Sequence, residues 1–183
     1  MISTSVSLTR PSTPARLHTV SHHLNERAVL DHELTSSAAP VNSTKGYWGF
    51  NLGAFAIGGP AVTATDFTAA EQYTIADTGT SINWLPTTLV TEYYNQIPGA
   101  TFSDSWGGMT FPCNSVLPDL TLYINGQPRT MPGSFVNYAP MNDGSGNCFG
   151  GIQDGSSSPG FSILGDTLLV IHQSVKISEF LLT

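Results

Sequence analysis

The sequence predicts an all-β protein with one or two short helices. Short apolar segments recur along the chain and are separated by turns rich in glycine and asparagine, as in antiparallel β proteins. One segment, at residues 85–99, instead carries apolar residues at helical spacing. Charged residues make up only 10% of the chain, against about a quarter in typical soluble domains. This low charge favours a secreted β-rich protein over a cytosolic one.

The predicted strands begin at Gly46, and turn signals separate them. Asn125-Gly126 is the strongest of these signals, because both residues readily adopt the positive φ of a two-residue hairpin. The strand candidates are GYWGFNLGAFAIGG at 46–59, which can hold one or two strands, YTIAD at 73–77, GMTFPC at 108–113, DLTLYI at 119–124, SFVNYA at 134–139, CFGGIQ at 148–153 and FSILG at 161–165.

The helix is predicted for LPTTLVTEYYNQIPG at residues 85–99. Pro86 suits the first turn of a helix, where its missing N–H has no partner to lose. Pro98-Gly99 then ends the helix. The apolar residues that fall on one face of it are Leu89, Val90, Tyr93, Tyr94 and Ile97.

Composition divides the chain into three parts. Residues 1–37 show no clear period and predict a poorly ordered extension of unknown role. Residues 38–169 form the β-rich body, and residues 170–183 form an atypical C-terminal segment. The extension holds an i,i+4 histidine pair among His18, His22 and His23, but no carboxylate or cysteine is placed to complete a metal site. We therefore expect neither a metal nor an organic cofactor.

The charge and hydropathy patterns exclude several classes of partner. The net charge is −7, and an acidic chain without a run of Lys or Arg argues against nucleic acid and against an anionic membrane surface. The longest apolar candidate, FSILGDTLLVI at 161–171, is too short to span a bilayer. The opening MISTSVSLTRPSTPARLH lacks the apolar core of a signal peptide. A secreted-looking body without an export signal predicts that this chain is not a complete product.

The motif TIADTGTS at residues 74–81 is the strongest candidate for chemistry. Asp77 ends an apolar strand and enters a turn, in which Gly79 lets the backbone bend where a side chain would clash. The hydroxyls of Thr78 and Thr80 and the N–H groups of the turn can donate hydrogen bonds to an ionised carboxylate and lower its pKa. Such a carboxylate can orient water or accept a proton. Two facing carboxylates catalyse better, because they cannot both ionise and one of them keeps a proton to donate.

Other interpretations of the motifs remain open at this point. Asp-Thr-Gly is also ordinary turn chemistry, so Asp77 could serve the turn alone. No Gly-x-Ser-x-Gly segment nominates a serine nucleophile. The glycine-rich stretch NDGSGNCFGGIQDG at 142–155 lacks the Gly-Lys-Ser/Thr of a phosphate-binding loop.

The motif and its surroundings resemble the C-terminal lobe of pepsin-like aspartic proteases (family A1), in the style of secreted fungal enzymes such as endothiapepsin and penicillopepsin. ADTGTS, followed by Leu-Pro and a helix, resembles the second active-site motif of that family. The resemblance covers roughly residues 38–169 and implies a single pepsin-like, all-β lobe. The other matching segments, in order, are PVNSTKGYWGF at 40–50, FPC at 111–113, CFGGIQ at 148–153 and FSILGD at 161–166.

The resemblance implies roles for the residues of the turn. Asp77 resembles the catalytic aspartate of this lobe. Thr78 resembles the residue whose hydroxyl braces the two lobes beneath the aspartate pair, and it supports that pair together with Gly79 and Thr80. Gly79, Thr80 and Ser81 resemble the edge that hydrogen-bonds the substrate backbone and the outer carboxylate oxygen.

The resemblance also implies roles for the segment that follows residue 160. Phe161 and Ile163 resemble apolar walls of the substrate pockets on the leaving-group side. Ile163, Leu164 and Gly165 are expected to pack under the active-site loop, which is also the role of plain core residues.

The second aspartate of such a pair is not found in this sequence. The family takes one Asp-Thr-Gly from each of two lobes, whereas this chain has a single such triplet. Asp104-Ser105-Trp106 and Asp154-Gly155-Ser156 do not replace it, because neither follows an apolar strand in our interpretation. We therefore expect a fragment that is inactive or nearly so alone and needs a missing N-terminal lobe or a second copy. Asn83-Trp84 also departs from the family, which has apolar residues there, and is expected to reshape local packing.

Two further features suit an exported protein. Cys113 and Cys148 are the two cysteines of the chain, and in a secreted-looking β protein they suggest a disulfide, with two buried thiols as the alternative. Asn42-Ser43-Thr44 is a sequon for N-glycosylation, a short pattern that matters only if the chain is exported. By resemblance the protein is extracellular.

Three functional hypotheses follow from these observations. The first is a lobe of an aspartic endopeptidase that hydrolyses extended polypeptides through an activated water. The second is an active homodimer, in which two copies of Asp77 face each other about a two-fold axis. The third is a non-catalytic lobe that binds a peptide or a protein, and peptide binding that survives Asp77→Ala would support it.

Overall fold

Two β-sheets, two short helices and one 3₁₀ turn make up the described part of the chain. A computed structural model describes residues 39–156 and 160–169. The predictions for the extension 1–37, for its histidines and for the segment 170–183 lie outside the described residues. Inside them the chain is mostly β-sheet, which confirms the predicted fold class. None of the helices in these ranges is long and apolar enough to cross a bilayer.

The strands are short and follow one another closely along the chain. In order they are β1 (Gly49–Ile57), β2 (Thr65–Asp66), β3 (Tyr73–Ala76), β4 (Asn83–Leu85), β5 (Thr101–Ser103), β6 (Gly108–Pro112), β7 (Leu120–Ile124), β8 (Gln127–Met131), β9 (Asn137–Pro140), β10 (Asn147–Gly150), β11 (Ile152–Asp154) and β12 (Ser162–Leu164). The helices are Thr87–Tyr94 and Asp166–Leu169, and the 3₁₀ turn is Gly133–Phe135.

The larger sheet has the strand order β11-β4-β12-β3-β1-β7-β8, and β2 pairs with β1 outside this path. Strand β12 inserts between β3 and β4, parallel to the first and antiparallel to the second. Since the carboxyl ends of parallel strands meet at one edge of a sheet, the residues that follow β3 and β12 lie side by side. This arrangement positions the candidate site.

The smaller sheet has the strand order β5-β6-β10-β9. Gln153 on β11 ties it to the larger sheet. Its side-chain amide is buried, accepts the N–H of Met109 at 2.7 Å and donates to the carbonyl of the same residue at 3.1 Å. A buried amide is stable in such a place only because its donor and acceptor are both used.

The predicted helix is present but shorter than expected. It spans Thr87–Tyr94 and starts directly after Pro86. The prediction that it continues to Pro98 is wrong, because the N–H of Ile97 bonds to the carbonyl of Tyr94, three residues back, in a tighter turn. Ile97 is nevertheless buried. The helix residues that reach the core are those of the predicted face, Leu89, Val90, Tyr93 and Tyr94.

Two predicted strands differ in the structure, one by division and one by a later start. CFGGIQ forms β10 and β11, which belong to different sheets. The chain changes sheets directly after Gly150, the last residue of β10, where a Cβ atom would lie 1.8 Å from the Tyr94 hydroxyl. SFVNYA becomes a strand only from Asn137, because the 3₁₀ turn occupies its first residues.

Other local predictions are confirmed. GYWGFNLGAFAIGG forms one strand, β1. Asn125 and Gly126 have φ of 50° and 73° and connect β7 to β8, as expected of a two-residue hairpin. Sequence reasoning named no strand candidate at β8, which only the Asn125-Gly126 hairpin signal implied. It also missed β2, β4 and β5, which are two or three residues long. Such strands are too short to show a period of two.

Cys113 and Cys148 form a disulfide, which confirms that prediction over two free thiols. Their Cα atoms are 4.9 Å apart and 35 residues separate them in sequence. Cys113 follows β6 directly, and Cys148 on β10 lies opposite Phe111 of β6. The bond therefore fastens two neighbouring strands of the smaller sheet.

Replacing both cysteines by alanine should lower the free energy of unfolding by about 3–4 kcal/mol, because the unfolded chain loses a closed loop. Urea denaturation followed by tryptophan fluorescence measures the change. The wild-type chain in a reducing agent is the matched control. The disulfide-bonded wild-type chain is the reference for both. A stabilising role for this bond would be contradicted if the reduced wild-type chain, with both thiols shown to be reduced, unfolded at the same urea midpoint as that reference.

Candidate active site

Asp77 lies at the carboxyl end of β3, where the chain leaves the larger sheet. Its backbone N–H donates to the carbonyl of Leu164, the last residue of β12, at 2.9 Å. Leu164 is opposite Ala76 in the parallel pairing of the two strands. The register of β12 against β3 therefore fixes the backbone of the aspartate.

The carboxylate of Asp77 is held by the turn that follows it. The N–H of Gly79 donates to Oδ1 at 2.9 Å, and the hydroxyl of Thr80 donates to Oδ2 at 2.7 Å. The Thr80 hydroxyl, and after it the Gly79 N–H, lower the pKa of Asp77, whereas slight burial opposes them. Hydrogen bonds to the ionised form have this effect because protonation would weaken them. The Asp77 carboxylate therefore stays ionised to a lower pH than an ordinary aspartate would.

Gly79 is favoured by its close approach to the carboxylate of Asp77. A Cβ atom there would lie 3.1 Å from Oδ1 of Asp77. Gly79 is not among the glycines with positive φ, so its role is to let the backbone N–H approach the carboxylate closely.

Gly165 allows the chain to cross under the loop formed by residues 77–82. A Cβ atom on Gly165 would lie 2.5 Å from the carbonyl oxygen of Thr80 and 2.3 Å from that of Ile82. Beyond it, the N–H of Asp166 donates to the Thr80 carbonyl at 2.8 Å. The expectation that the segment around Leu164 and Gly165 packs under this loop agrees with these contacts.

Asn83 stabilises this crossing with a buried side chain. Its Oδ1 accepts the N–H of Gly165 at 3.0 Å, and its Nδ2 donates to the hydroxyl of Thr167 at 2.7 Å. Asn83 has no solvent exposure. From the sequence we expected this residue only to reshape packing, and we missed that its amide links β4 to the helix Asp166–Leu169. An asparagine at a predicted apolar position was the available signal.

The outer residues of the turn face solvent. Thr78, Gly79 and Ser81 are exposed and Thr80 is half-buried. The Thr78 hydroxyl makes no hydrogen bond with any residue the structure describes, so its predicted bracing role stays a prediction. The carbonyl of Ser81 accepts the N–H of Thr167 at 3.1 Å, and its exposed side chain keeps the predicted substrate contact a prediction too.

A groove of 390 Å³ lies beside Asp77. Its walls combine the ends of β1 and β3 with the segment that precedes β1. Trp48 is 66% exposed and Tyr47 is 53% exposed, which is unusual for large aromatic side chains. The groove residues are Ala39, Val41, Tyr47, Trp48, Gly49, Phe50, Ile75, Ala76, Asp77 and Thr78.

Phe161 and Ile163, the two residues predicted to line substrate pockets, lie just before β12 and within it. Phe161 joins an aromatic cluster, with its ring 5.5 Å from that of Tyr47 and 5.6 Å from that of Tyr73. Through Tyr47 this cluster is continuous with the groove. Ile163 is half-buried in β12, opposite Ile75 of β3 and Trp84 of β4. Their contact with a substrate stays a prediction.

No second carboxylate accompanies Asp77 within the described ranges. The shift in its pKa has no contribution from another acidic side chain. Asp104 is exposed. Asp154 ends strand β11, contrary to our expectation that it follows no strand, but its carboxylate accepts the Thr87 hydroxyl at 3.0 and 2.9 Å. In these same ranges no cluster of three or more His, Cys, Asp or Glu residues could hold a metal.

The sequon asparagine lies near the groove in a short turn. Oδ1 of Asn42 accepts the hydroxyl of Thr44 at 2.7 Å and its N–H at 3.1 Å. Asn42 also pairs with Gly49 as an isolated bridge. Glycosylation of this residue stays a prediction.

Replacing Thr80 by valine should raise the pKa of Asp77 towards its ordinary value of about 3.9, because the ionised form loses its shortest hydrogen bond. The ¹³C chemical shift of the Asp77 carboxyl group during a pH titration measures this change. Thr78→Val is the matched control, since that hydroxyl is unbonded in the described structure.

The same variant should also alter the pH dependence of stability. A lowered folded-state pKa stabilises the fold above the unfolded-state pKa, and this gain is lost as pH falls through the folded-state pKa. Thr80→Val should therefore be less stable than Thr78→Val near neutral pH, with a smaller difference near pH 2. An Asp77 pKa that stays low in Thr80→Val would contradict the assignment of the donor.

Replacing Asn83 by alanine should lower the free energy of unfolding by about 1–3 kcal/mol, because the buried N–H of Gly165 loses its acceptor. Asn114→Ala is the matched control, as Asn114 is exposed. Chemical denaturation compares the two variants. Equal stability of both would show that water or a neighbour replaces the Asn83 amide.

Comparison with known proteins shows the family of this chain. The family model described as "Eukaryotic aspartyl protease" matches residues 31–175. Penicillopepsin-3 of Penicillium janthinellum is 40% identical over 130 residues, which cover 71% of this chain and 32% of the relative. Aspergillopepsin-1 of Aspergillus fumigatus is 41% identical over 129 residues, which cover 70% of this chain and 31% of the relative.

A further relative gives the same proportions. Penicillopepsin-2 of Penicillium janthinellum is 43% identical over 131 residues, which cover 72% of this chain and 31% of the relative. The chain thus spans about a third of the length of the curated relatives it matches. With an Asp-Thr-Gly turn at the end of a strand and most of its length matched by the family model, this chain belongs to the eukaryotic aspartyl protease family.

Proposed function

We propose that this chain contributes Asp77 to an aspartic-type endopeptidase, which hydrolyses peptide bonds in extended polypeptides. One observation carries the proposal. The Asp77 carboxylate is kept ionised by the Thr80 hydroxyl and the Gly79 N–H, and it borders an open groove of 390 Å³. A turn residue with a purely structural role would have no need of such a groove.

The chemistry requires a second carboxyl group with the opposite protonation state. An ionised Asp77 accepts a proton from water while the water oxygen attacks the carbonyl carbon of the scissile bond. A protonated partner carboxyl donates its proton to the carbonyl oxygen, and two adjacent carboxylates reach these different states because both cannot ionise. The low pKa of Asp77 suits it to the role of the base.

The partner carboxyl must come from outside the residues described here. The chain spans about a third of its relatives' length, which leaves room in a longer protein for a lobe that carries the second aspartate. A second copy of this chain is the other source. The exposed aromatic side chains of Tyr47 and Trp48 beside Asp77 favour a covering partner of one kind or the other.

We also propose an extracellular location. The disulfide between Cys113 and Cys148 is typical of an oxidising compartment. The low content of charged side chains agrees with this location.

Cleavage of a quenched fluorescent peptide at acid pH, across a range of protein concentrations, tests the source of the second carboxyl. If two copies pair, the rate should rise with the square of concentration and vanish in Asp77→Asn, because each active centre needs two chains. If a separate lobe is required, the chain alone should match Asp77→Asn at every concentration.

In that second case, adding the N-terminal part of penicillopepsin-3 should restore cleavage to the wild-type chain and not to Asp77→Asn. Cleavage that persists in Asp77→Asn, with contaminating proteases excluded by mass spectrometry of the products, would overturn the role of this aspartate. Absence of cleavage in the presence of the added part, when a complex has formed by size-exclusion chromatography, would overturn the endopeptidase proposal.

A further inference from the structure

Lys45 lies over two adjoining aromatic rings near the groove. Its Nζ atom is 5.1 Å from the centre of the Tyr73 ring and 5.4 Å from the centre of the Phe161 ring. The two rings meet edge to face, with an interplanar angle of 86°. A cation above aromatic faces is attracted by their negative quadrupole, so the ammonium group has a preferred position on this cluster.

The charge of Lys45 is not neutralised by the described part of the protein. No carboxylate in the ranges 39–156 and 160–169 forms an ion pair with it. The chain carries a net charge of −7 and has only six lysine and arginine residues. An exposed cation that forms no ion pair with the described residues, in so acidic a chain, is available to an anionic group from outside.

The lysine is connected to the groove by a short and well-fixed segment. Tyr47 lines the groove together with Asp77 and also contacts the Phe161 ring at 5.5 Å. The hydroxyl of Tyr73 donates to the carbonyl of Tyr47 at 3.3 Å. A Cβ atom on Gly49 would lie 2.5 Å from the Tyr73 ring, so the strand start and the ring are closely packed.

Tyr47 thus connects the groove beside Asp77 with the aromatic cluster under Lys45. Lys45 and Tyr47 are two residues apart, and two residues of extended chain span at most about 7 Å. A polypeptide in the groove that continues past Tyr47 would therefore approach the Phe161 ring and the Lys45 ammonium group above it.

We propose that Lys45 makes the candidate site select polypeptides with an acidic side chain at the position that passes Lys45 beside the Phe161 ring. The methylene groups of a glutamate would pack against the half-buried Phe161 ring, and its carboxylate would meet the ammonium group of Lys45. This inference rests on the proposed function, because it names the substrate class of the same groove.

The experiment measures binding, so that it does not depend on catalysis. Fluorescently labelled apolar octapeptides carry a single glutamate at each position in turn, and each has a twin with glutamine there. Fluorescence anisotropy with the full 183-residue chain at pH 5.5 gives the dissociation constants. At this pH a glutamate side chain is mostly ionised.

We expect one peptide position at which glutamate binds about two- to five-fold more tightly than glutamine, as for an exposed ion pair. Lys45→Gln should bring this ratio close to one, and Lys45→Arg should retain it. Arg129→Gln, which removes a positive charge on β8, should leave the ratio unchanged. This control separates a local contact from an effect of net charge.

Three results would overturn the proposal: equal binding of glutamate and glutamine peptides at every position, a ratio that Lys45→Gln leaves unchanged, or no peptide binding at all. The outcome is separable from that of the cleavage test. Peptides that are cleaved through Asp77 without a preference for glutamate would refute the selection by Lys45 and keep the endopeptidase. A preference for glutamate, together with no cleavage once the complex with the added N-terminal part has formed, would keep the selection and refute the endopeptidase.

Discussion

The candidate site depends on one close backbone crossing, in which the chain after β12 passes under the loop that carries Asp77. The Leu164 carbonyl accepts the Asp77 N–H, and the Asp166 N–H donates to the Thr80 carbonyl. Gly165 lies between these bonds, where a side chain would collide with two carbonyl oxygens. Because main-chain atoms from distant parts of the sequence meet here, the aspartate is held by rigid strands and not by a free loop.

The crossing also explains why a polar residue can occupy the core at Asn83. Burying an amide costs free energy unless its donors and acceptor are used. Here Oδ1 satisfies the N–H of Gly165, and Nδ2 bonds to the Thr167 hydroxyl. The amide thereby supplies hydrogen bonds that a leucine could not, and it connects β4 with the helix Asp166–Leu169.

The described residues supply only part of an aspartic protease site, as the charge of Asp77 and the exposed surface beside it indicate. Two hydrogen bonds favour the ionised form of Asp77, so this carboxyl is a base and not a proton donor in moderately acid solution. No neighbouring acid among the described residues provides the complementary proton. The exposed Trp48 and Tyr47 form an apolar border at the same place, where a partner surface would remove them from water.

The sequence alone determined the fold class, the hairpin at Asn125-Gly126 and the Asp-Thr-Gly turn, because each depends on local backbone preferences or on a pattern of neighbouring residues. The helix predicted from the sequence extends beyond Tyr94, where the helix in the structure ends. Only the tertiary structure decided the division of CFGGIQ between two sheets, the buried amide of Asn83 and the position of Lys45 over Tyr73 and Phe161. These features join residues far apart in the chain, and no local periodicity records which distant atoms will meet.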